Sequence, residues 1–175
     1  HKSLFGYPQT PDQAWEIIVG AILTQNTAWT NVEQALWNLH EKSLISLPTL
    51  HRTPIRKLTP LIRPAGYFNQ KALRLKTIAS FFRLHYDAGF TYFRSAPLSE
   101  VRGELLQVKG IGPETADSIL LYSCKRPSFV VDSYTRRILS RMGIISANAS
   151  YDETKQICES SLPSDRRSRP ARSRS

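Results

Sequence analysis

The stretch Leu105–Asp132, LLQVKGIGPETADSILLYSCKRPSFVVD, constrains the fold more than any other part of the chain. It sets Lys109-Gly110-Ile111-Gly112 between two helical patterns, one over roughly Leu98–Gln107 and one from Pro113 to about Ser123. Glycine accepts positive φ and has no side chain, so the backbone can turn tightly and come close to a ligand. Proline is suited to the first turn of the helix that follows. The segment therefore reads as a helix-hairpin-helix, over about residues 98–123, with Ile111 plugging the turn into a core. An extended connector, Lys125–Val131, then leads to Asp132. That residue is placed to cap a helix from Ser133 to about Met142, with Gly143 past its end.

The remainder is patterned as helix throughout, which makes the fold class all-α. Thr10-Pro11-Asp12-Gln13 is a capping box with a first-turn proline. Ala14, Ile17, Ile18, Ala21 and Ile22 follow at helical spacing. A second helix begins near Ala28, with Val32, Ala35, Leu36 and Leu39 on one face. A third starts at Thr53-Pro54 and is closed by Pro64 and Gly66. A fourth runs from about Gln70 to Leu84, and His85–Ser95 is expected to be a loop. Ser150-Tyr151-Asp152-Glu153 is a second capping box, opening a last helix towards Ser160. Beyond it SDRRSRPARSRS, residues 164–175, has nothing to bury and is expected to be disordered, leaving residues 1–163 as the folded domain.

A chain of 175 residues can build one domain, or two small helical lobes sharing a cleft. The net charge of +10 favours a polyanionic partner, most simply nucleic acid. The tail holds five Arg and one Asp, so it accounts for +4 of that charge and the rest of the chain for +6. Cys124 and Cys158 lack metal-ligand spacing and read as reduced, buried thiols; no metal site is expected. No apolar run approaches a membrane span and no signal peptide is evident, so no membrane partner is expected. The expected setting is a bacterial cytoplasm, close to the nucleoid, and the expected state a monomer. The chain opens on His1 rather than Met, which leaves open that it is a fragment.

The hairpin's successive N–H groups, with the helix N-terminus behind them, can converge on a phosphate. Lys109 would add a charge and Thr115 a hydrogen bond. Such contacts set register on a duplex without reading sequence. Taken alone, Gly-x-Gly between helices is equally well a structural turn, or a DNA-holding hairpin with no catalysis. Asp132 alone reads first as an ordinary N-cap. A carboxylate held rigidly at a helix start can also stabilise the positive charge that builds on a sugar as its N-glycosidic bond breaks, and can orient or deprotonate a water.

Together these residues resemble the helix-hairpin-helix/Gly-Pro-Asp superfamily of DNA glycosylases, in its endonuclease III branch. Lys109–Ala116 (KGIGPETA) followed by Val130-Val131-Asp132 carries the resemblance, and three more segments match in order. Ile22–Trp29 (ILTQNTAW) is similar to the branch's second helix, Gly66–Ala72 (GYFNQKA) to its Gly-aromatic-Asn-x-Lys-Ala turn, and Arg136–Gly143 to the helix after the aspartate. The match covers roughly Pro11–Ser160. It implies a two-lobed helical fold with double-stranded DNA bound across the cleft, and a damaged base flipped into a pocket. Asp132 would be catalytic. Lys109, Gly110, Ile111, Gly112 and Thr115 would hold DNA, with Asn69 and Lys71 near its backbone. Gln25 would fill or probe the space the base leaves. Trp29 would stack on the flipped base or else lie in the core, and Lys71 would otherwise sit on a solvated helix face.

Two departures from the family pattern refine the expectation. Bifunctional members carry a lysine 18 residues before the aspartate, which attacks the sugar as a Schiff-base nucleophile. Here that position is Glu114. The resemblance then implies a monofunctional enzyme similar to the bacterial 3-methyladenine glycosylases of this branch, acting on an alkylated base, with Glu114 lining the pocket or simply favoured by the helix dipole. A glycosylase/lyase recruiting another lysine and a catalytically dead DNA-binding module are the alternatives. Most of the branch also holds a [4Fe-4S] cluster on four C-terminal cysteines. Those cysteines are absent here, so no cofactor is expected. The abrupt passage after Pro163 into an Arg/Ser tail reads as a truncation or frame change, or else as an authentic basic tail.

Overall fold

A computed structural model describes residues 10–84 and 90–162. Every regular element among them is helical. The chain divides into two compact units, residues 1–130 and 131–175. The tail from Ser164 lies outside the described residues, as do residues 85–89 of the expected loop.

In the first unit, α1 (Pro11–Leu23) opens on the anticipated capping box: Thr10 Oγ1 accepts from Gln13 N–H and the Gln13 side chain returns the bond. Its apolar repeat buries Ala14, Trp15, Ile18, Val19, Ile22 and Leu23. Burial of each large apolar side chain stabilises by about 1.5–3 kcal/mol, which makes α1 the spine of this unit. It packs against α2 (Trp29–Glu41), α5 (Phe68–Leu84), α8 (Pro113–Ser118) and the turn that continues α8. On α5, Ala72, Leu75, Ile78, Ala79 and Phe82 face inward, whereas Leu73 is exposed. Trp15 meets the Phe82 ring edge-on, and Phe82 stacks obliquely on Phe93 with centroids 4.5 Å apart.

Three features differ from the pattern in the sequence. A short helix, α3 (Leu47–Arg52), precedes α4 (Ile55–Leu61). Its six residues are too few to show a period; Ser46 caps it and the Lys76 ammonium reaches back to the Leu50 and His51 carbonyls at its end. Thr91–Ser95, expected to be loop, forms helix α6. Tertiary contacts make it: Phe93 is buried, and the Arg126 guanidinium donates to the carbonyls of Phe93, Arg94 and Ala96. Finally, α8 does not stay α-helical to Ser123 but widens into a π-helical turn over Ile119–Ser123, with Cys124 N–H donating to Ile119 C=O.

Helix α7 (Leu98–Gln107) joins α8 through the hairpin and through a buried ion pair. Asp117 is fully buried, accepts from Arg102 Nε at 3.0 Å and Nη2 at 3.2 Å, and takes a third bond from Ser128 Oγ. Each carboxylate oxygen thus has a donor, which is what a buried charge requires. Cys124 is buried, and desolvation pushes its thiol up to about 12; Cys158 is partly exposed, and both are free thiols.

The second unit carries α9 (Ser133–Arg141) and α10 (Tyr151–Ser161). Ser150 and Glu153 form the second anticipated capping box at the start of α10. No side chain of α9 is buried. Among the described residues no helix is long and apolar enough to cross a membrane.

Candidate functional site

The hairpin is built by local backbone geometry. Val108 ends α7, Ile111 N–H donates to Val108 C=O, and Gly110 turns the chain at φ +91°. Only this glycine needs a left-handed conformation. Gly112 is extended at φ −91° and serves as N-cap of α8. Ile111 is buried and anchors the turn, while Lys109 and both glycines are exposed. No hydrogen bond among the described residues engages the N–H groups of Gly110 and Gly112. Both remain for a ligand oxygen.

Gln25, on the loop after α1, lies against this hairpin. Its Nε2 donates to Thr115 Oγ1 at 3.0 Å and to Gly110 C=O at 3.3 Å. Its Oε1 accepts from the guanidinium of Arg74 on α5. Thr115 is buried and engaged by Gln25. The structure therefore brings Gln25, Gly110 and Thr115 together, and adds Arg74, which the sequence reading missed. Its signal was weak: Arg74 stands three residues after Lys71, hence beside it on α5.

Lys71 is corrected outright. It is neither on a solvated face nor free to meet a DNA backbone. It is 1% exposed, and its ammonium donates to Leu23 C=O, Thr27 Oγ1 and Ala65 C=O at 2.8, 2.6 and 2.7 Å. An ammonium has three donors and all three are used. The acceptors lie at the end of α1, on the following loop and at the end of the 3₁₀ turn Arg63–Ala65, so Lys71 ties these segments together. Burial, with repulsion from Arg74, pushes its pKa down to about 8.

The turn that Lys71 holds presents Tyr67 and Asn69. Gly66 and Tyr67 are both left-handed, at φ +65° and +44°. For tyrosine that conformation costs roughly 1–2 kcal/mol, and the ring is 68% exposed. This tyrosine, the aromatic of the Gly-aromatic-Asn-x-Lys-Ala segment, therefore stands out from the turn that leads into α5. Asn69 is exposed on the first turn of α5. Trp29, at the start of α2, is 37% exposed, which removes the alternative that it lies in the core. Glu114 is exposed on the first turn of α8.

Asp132 belongs to the second unit. It is half-buried and extended, and it caps α9, with Oδ1 accepting from Thr135 N–H at 2.7 Å. That bond, first among several, holds its carboxyl below the ordinary carboxylate range and therefore ionised at neutral pH. Just before it, Val131 N–H donates to the Tyr151 hydroxyl on α10 at 3.2 Å, fixing the approach to the cap. A shallow groove of the same unit is lined by Ile144, Ile145, Asn148, Ala149, Glu153 and Ile157, and none of the expected site residues lies in it.

The residues present do not fit a four-cysteine iron-sulfur cluster. The chain has two cysteines, and the described residues hold no group of three or more His, Cys, Asp and Glu placed for a metal.

Comparison with known proteins bears on family and fold. Residues 19–164 match the HhH-GPD superfamily of base excision DNA repair proteins. The chain is 47% identical over 152 residues to a Methanocaldococcus jannaschii protein named as a DNA repair glycosylase, covering 86% of this chain and 69% of that one. It is 27% identical over 158 residues to endonuclease III of Thermotoga maritima, covering 86% and 66%. Among solved structures, the 3-methyladenine DNA glycosylase of H. pylori, bound to 1,N6-ethenoadenine, superposes with a TM-score of 0.72 at 33% identity, over 91% of this chain and 75% of that chain. A trapped endonuclease III–DNA covalent intermediate shares the fold with the same TM-score at 20% identity, over 93% and 70%.

Proposed function

The chain belongs to the HhH-GPD superfamily of base excision DNA repair proteins, as a DNA glycosylase with DNA for its partner, and from that premise we propose that it is monofunctional and releases an alkylated base. In this reading the hairpin holds a duplex through the N–H groups of Gly110 and Gly112, with Lys109 adding charge and Asn69 lying near the backbone. The damaged nucleotide leaves the stack, Gln25 takes up the space behind it, and the exposed face of Trp29 stacks on the base.

The observation that carries the proposal is Asp132. Its carboxylate is rigid because it caps α9, ionised because backbone N–H groups stabilise the charged form, and only half-buried, so it can face a sugar. As the N-glycosidic bond breaks, electrons leave with the base and the sugar becomes oxocarbenium-like. A fixed negative charge lowers that barrier, and water completes the hydrolysis. An alkylated purine carries positive charge and leaves readily, so the carboxylate need not be matched by a strong general acid. Glu114 at the lysine position of bifunctional relatives supports hydrolysis by water, and its negative charge suits a cationic base. The likeness to the H. pylori 3-methyladenine glycosylase supports the same substrate class.

The test is release of free base from methylated duplex DNA. Wild type should release base and leave an intact strand with an abasic site, whereas Asp132→Asn should bind the duplex equally and release nothing. Borohydride treatment during turnover should trap no covalent complex. A trapped complex would establish a lyase using another lysine, and equal binding without release from any lesion would reduce the chain to a DNA-binding module.

A further inference from the structure

Arg74 is absent from the motifs that mark the family resemblance, yet it touches both parts of the DNA-facing surface in the first unit. Its guanidinium donates to Gln25 Oε1. Its stem lies against Gly110 so closely that a Cβ there would stand 2.7 Å from Arg74 Cγ and 2.9 Å from Nε. No carboxylate among the described residues pairs with it. The guanidinium is thus spent on a neutral carboxamide, an unusual partner for a residue whose planar fork suits carboxylate and phosphate.

The consequence for Gln25 is directional. A carboxamide presents an acceptor at one end and a donor at the other. A cation that only donates can bind only the Oε1 end. That choice turns Nε2 towards Gly110 C=O and Thr115 Oγ1, where both contacts are made. A long side chain that would otherwise sample many rotamers is held in one before any DNA arrives. The absence of a Cβ at Gly110 is what lets the arginine stem approach, so the hairpin glycine serves this contact as well as the turn.

We propose that Arg74 is a positioning residue for base excision, acting through Gln25: it orients the Gln25 carboxamide and holds it against the hairpin. The inference rests on the role given to Gln25 under the proposed function. It does not concern Asp132 or the bond-breaking step.

A double-mutant cycle tests it. Single-turnover base release from methylated duplex is measured for wild type, Gln25→Ala, Arg74→Met and the pair, alongside affinity for undamaged duplex and the thermal midpoint. Arg74→Met should slow release about tenfold, the size expected for coupled contact partners, with affinity for undamaged DNA changed less than twofold. In the Gln25→Ala background the same substitution should cost nothing further. Additive losses, an unchanged rate or a faster rate in Arg74→Met would overturn the inference. Should Arg74→Met lower the thermal midpoint markedly, Arg74→Gln, which keeps donor capacity without charge, carries the same cycle. The cycle is also read on a duplex holding a tetrahydrofuran abasic analogue flanked by 2-aminopurine, where entry of Gln25 raises fluorescence with no chemistry needed. No rise with wild type, or an equal rise with Arg74→Met, would overturn it. If Gln25→Ala alone leaves both readouts unchanged, the role of Gln25 falls and Arg74 with it, while loss of release in Asp132→Asn alone would still support the proposed reaction.

Discussion

Helices α1 and α9 hold their functional neighbours by opposite means. Helix α1 buries seven of its 13 residues, and the loop that follows it is fastened from other parts of the first unit by Lys71, Arg74 and the Ala65 carbonyl. Helix α9 buries none of its nine residues, and Asp132 is set by its own cap and by the Tyr151 hydroxyl. The Gln25 loop is therefore held by tertiary packing, whereas the carboxylate is fixed locally. Damage to the core should reach the first and bypass the second.

The largest effects that would break this comparison lie in the first unit. Trp15→Ala should destabilise by about 3–5 kcal/mol, through lost burial and the cavity left behind, measured by denaturant unfolding. Asp117→Ala should cost a similar amount, about 3–5 kcal/mol, because it strands the Arg102 charge against a buried site. Smaller effects belong to the second unit. Tyr151→Phe removes one acceptor from Val131 N–H and should cost about 1 kcal/mol, while lowering base release because the approach to Asp132 loosens. Ile138→Ser on α9 should change stability by no more than about 0.5 kcal/mol, since that side chain is 54% exposed. A loss of several kcal/mol there would show that α9 is packed as firmly as α1.

Two titrations sharpen the same contrast. The folded pKa of Asp132 is lowered, so its cap contributes stability above the unfolded carboxylate pKa and loses it as pH falls through the folded value. Base release should accordingly persist into acid below the ordinary carboxylate range. Lys71 is the reverse case, a base whose folded pKa is pushed from 10.5 to about 8. The unfolded chain then binds more protons between those values, so this group should make stability rise with pH across that window. The neutral amine keeps two donors for its three acceptors. Lys71→Met should flatten that rise in unfolding measurements taken from pH 7 to 10.

Both capping boxes, the hairpin, α7 and α9 were legible from residue order, because caps and turns are written in neighbouring residues. Helix α6 was not, since Arg126 and the burial of Phe93 create it from a distance. The family pattern likewise drew attention to Gln25, Asp132 and the hairpin, but it set Lys71 near the DNA backbone, with a solvated helix face as the alternative. A buried ammonium that binds three oxygens, two of them carbonyls, leaves no trace in composition. Arg74 was invisible for the same reason, since its partner is 49 positions away. What the chain order could not convey was which polar side chains face inward.

The wide turn at Ile119–Ser123 makes this stretch forgiving of a one-residue deletion. Its bonds span five and six residues, Cys124 to Ile119 and Arg126 to Leu120, so it holds one residue more than an α-helix would in the same rise. Deleting exposed Tyr122 would remove that extra residue and let the segment tighten to α-helical bonding. Ser123, which donates to Ala14 C=O at 2.8 Å, would stay close to that bond. A gap of one in this stretch would therefore do less harm than the same gap in the middle of α1.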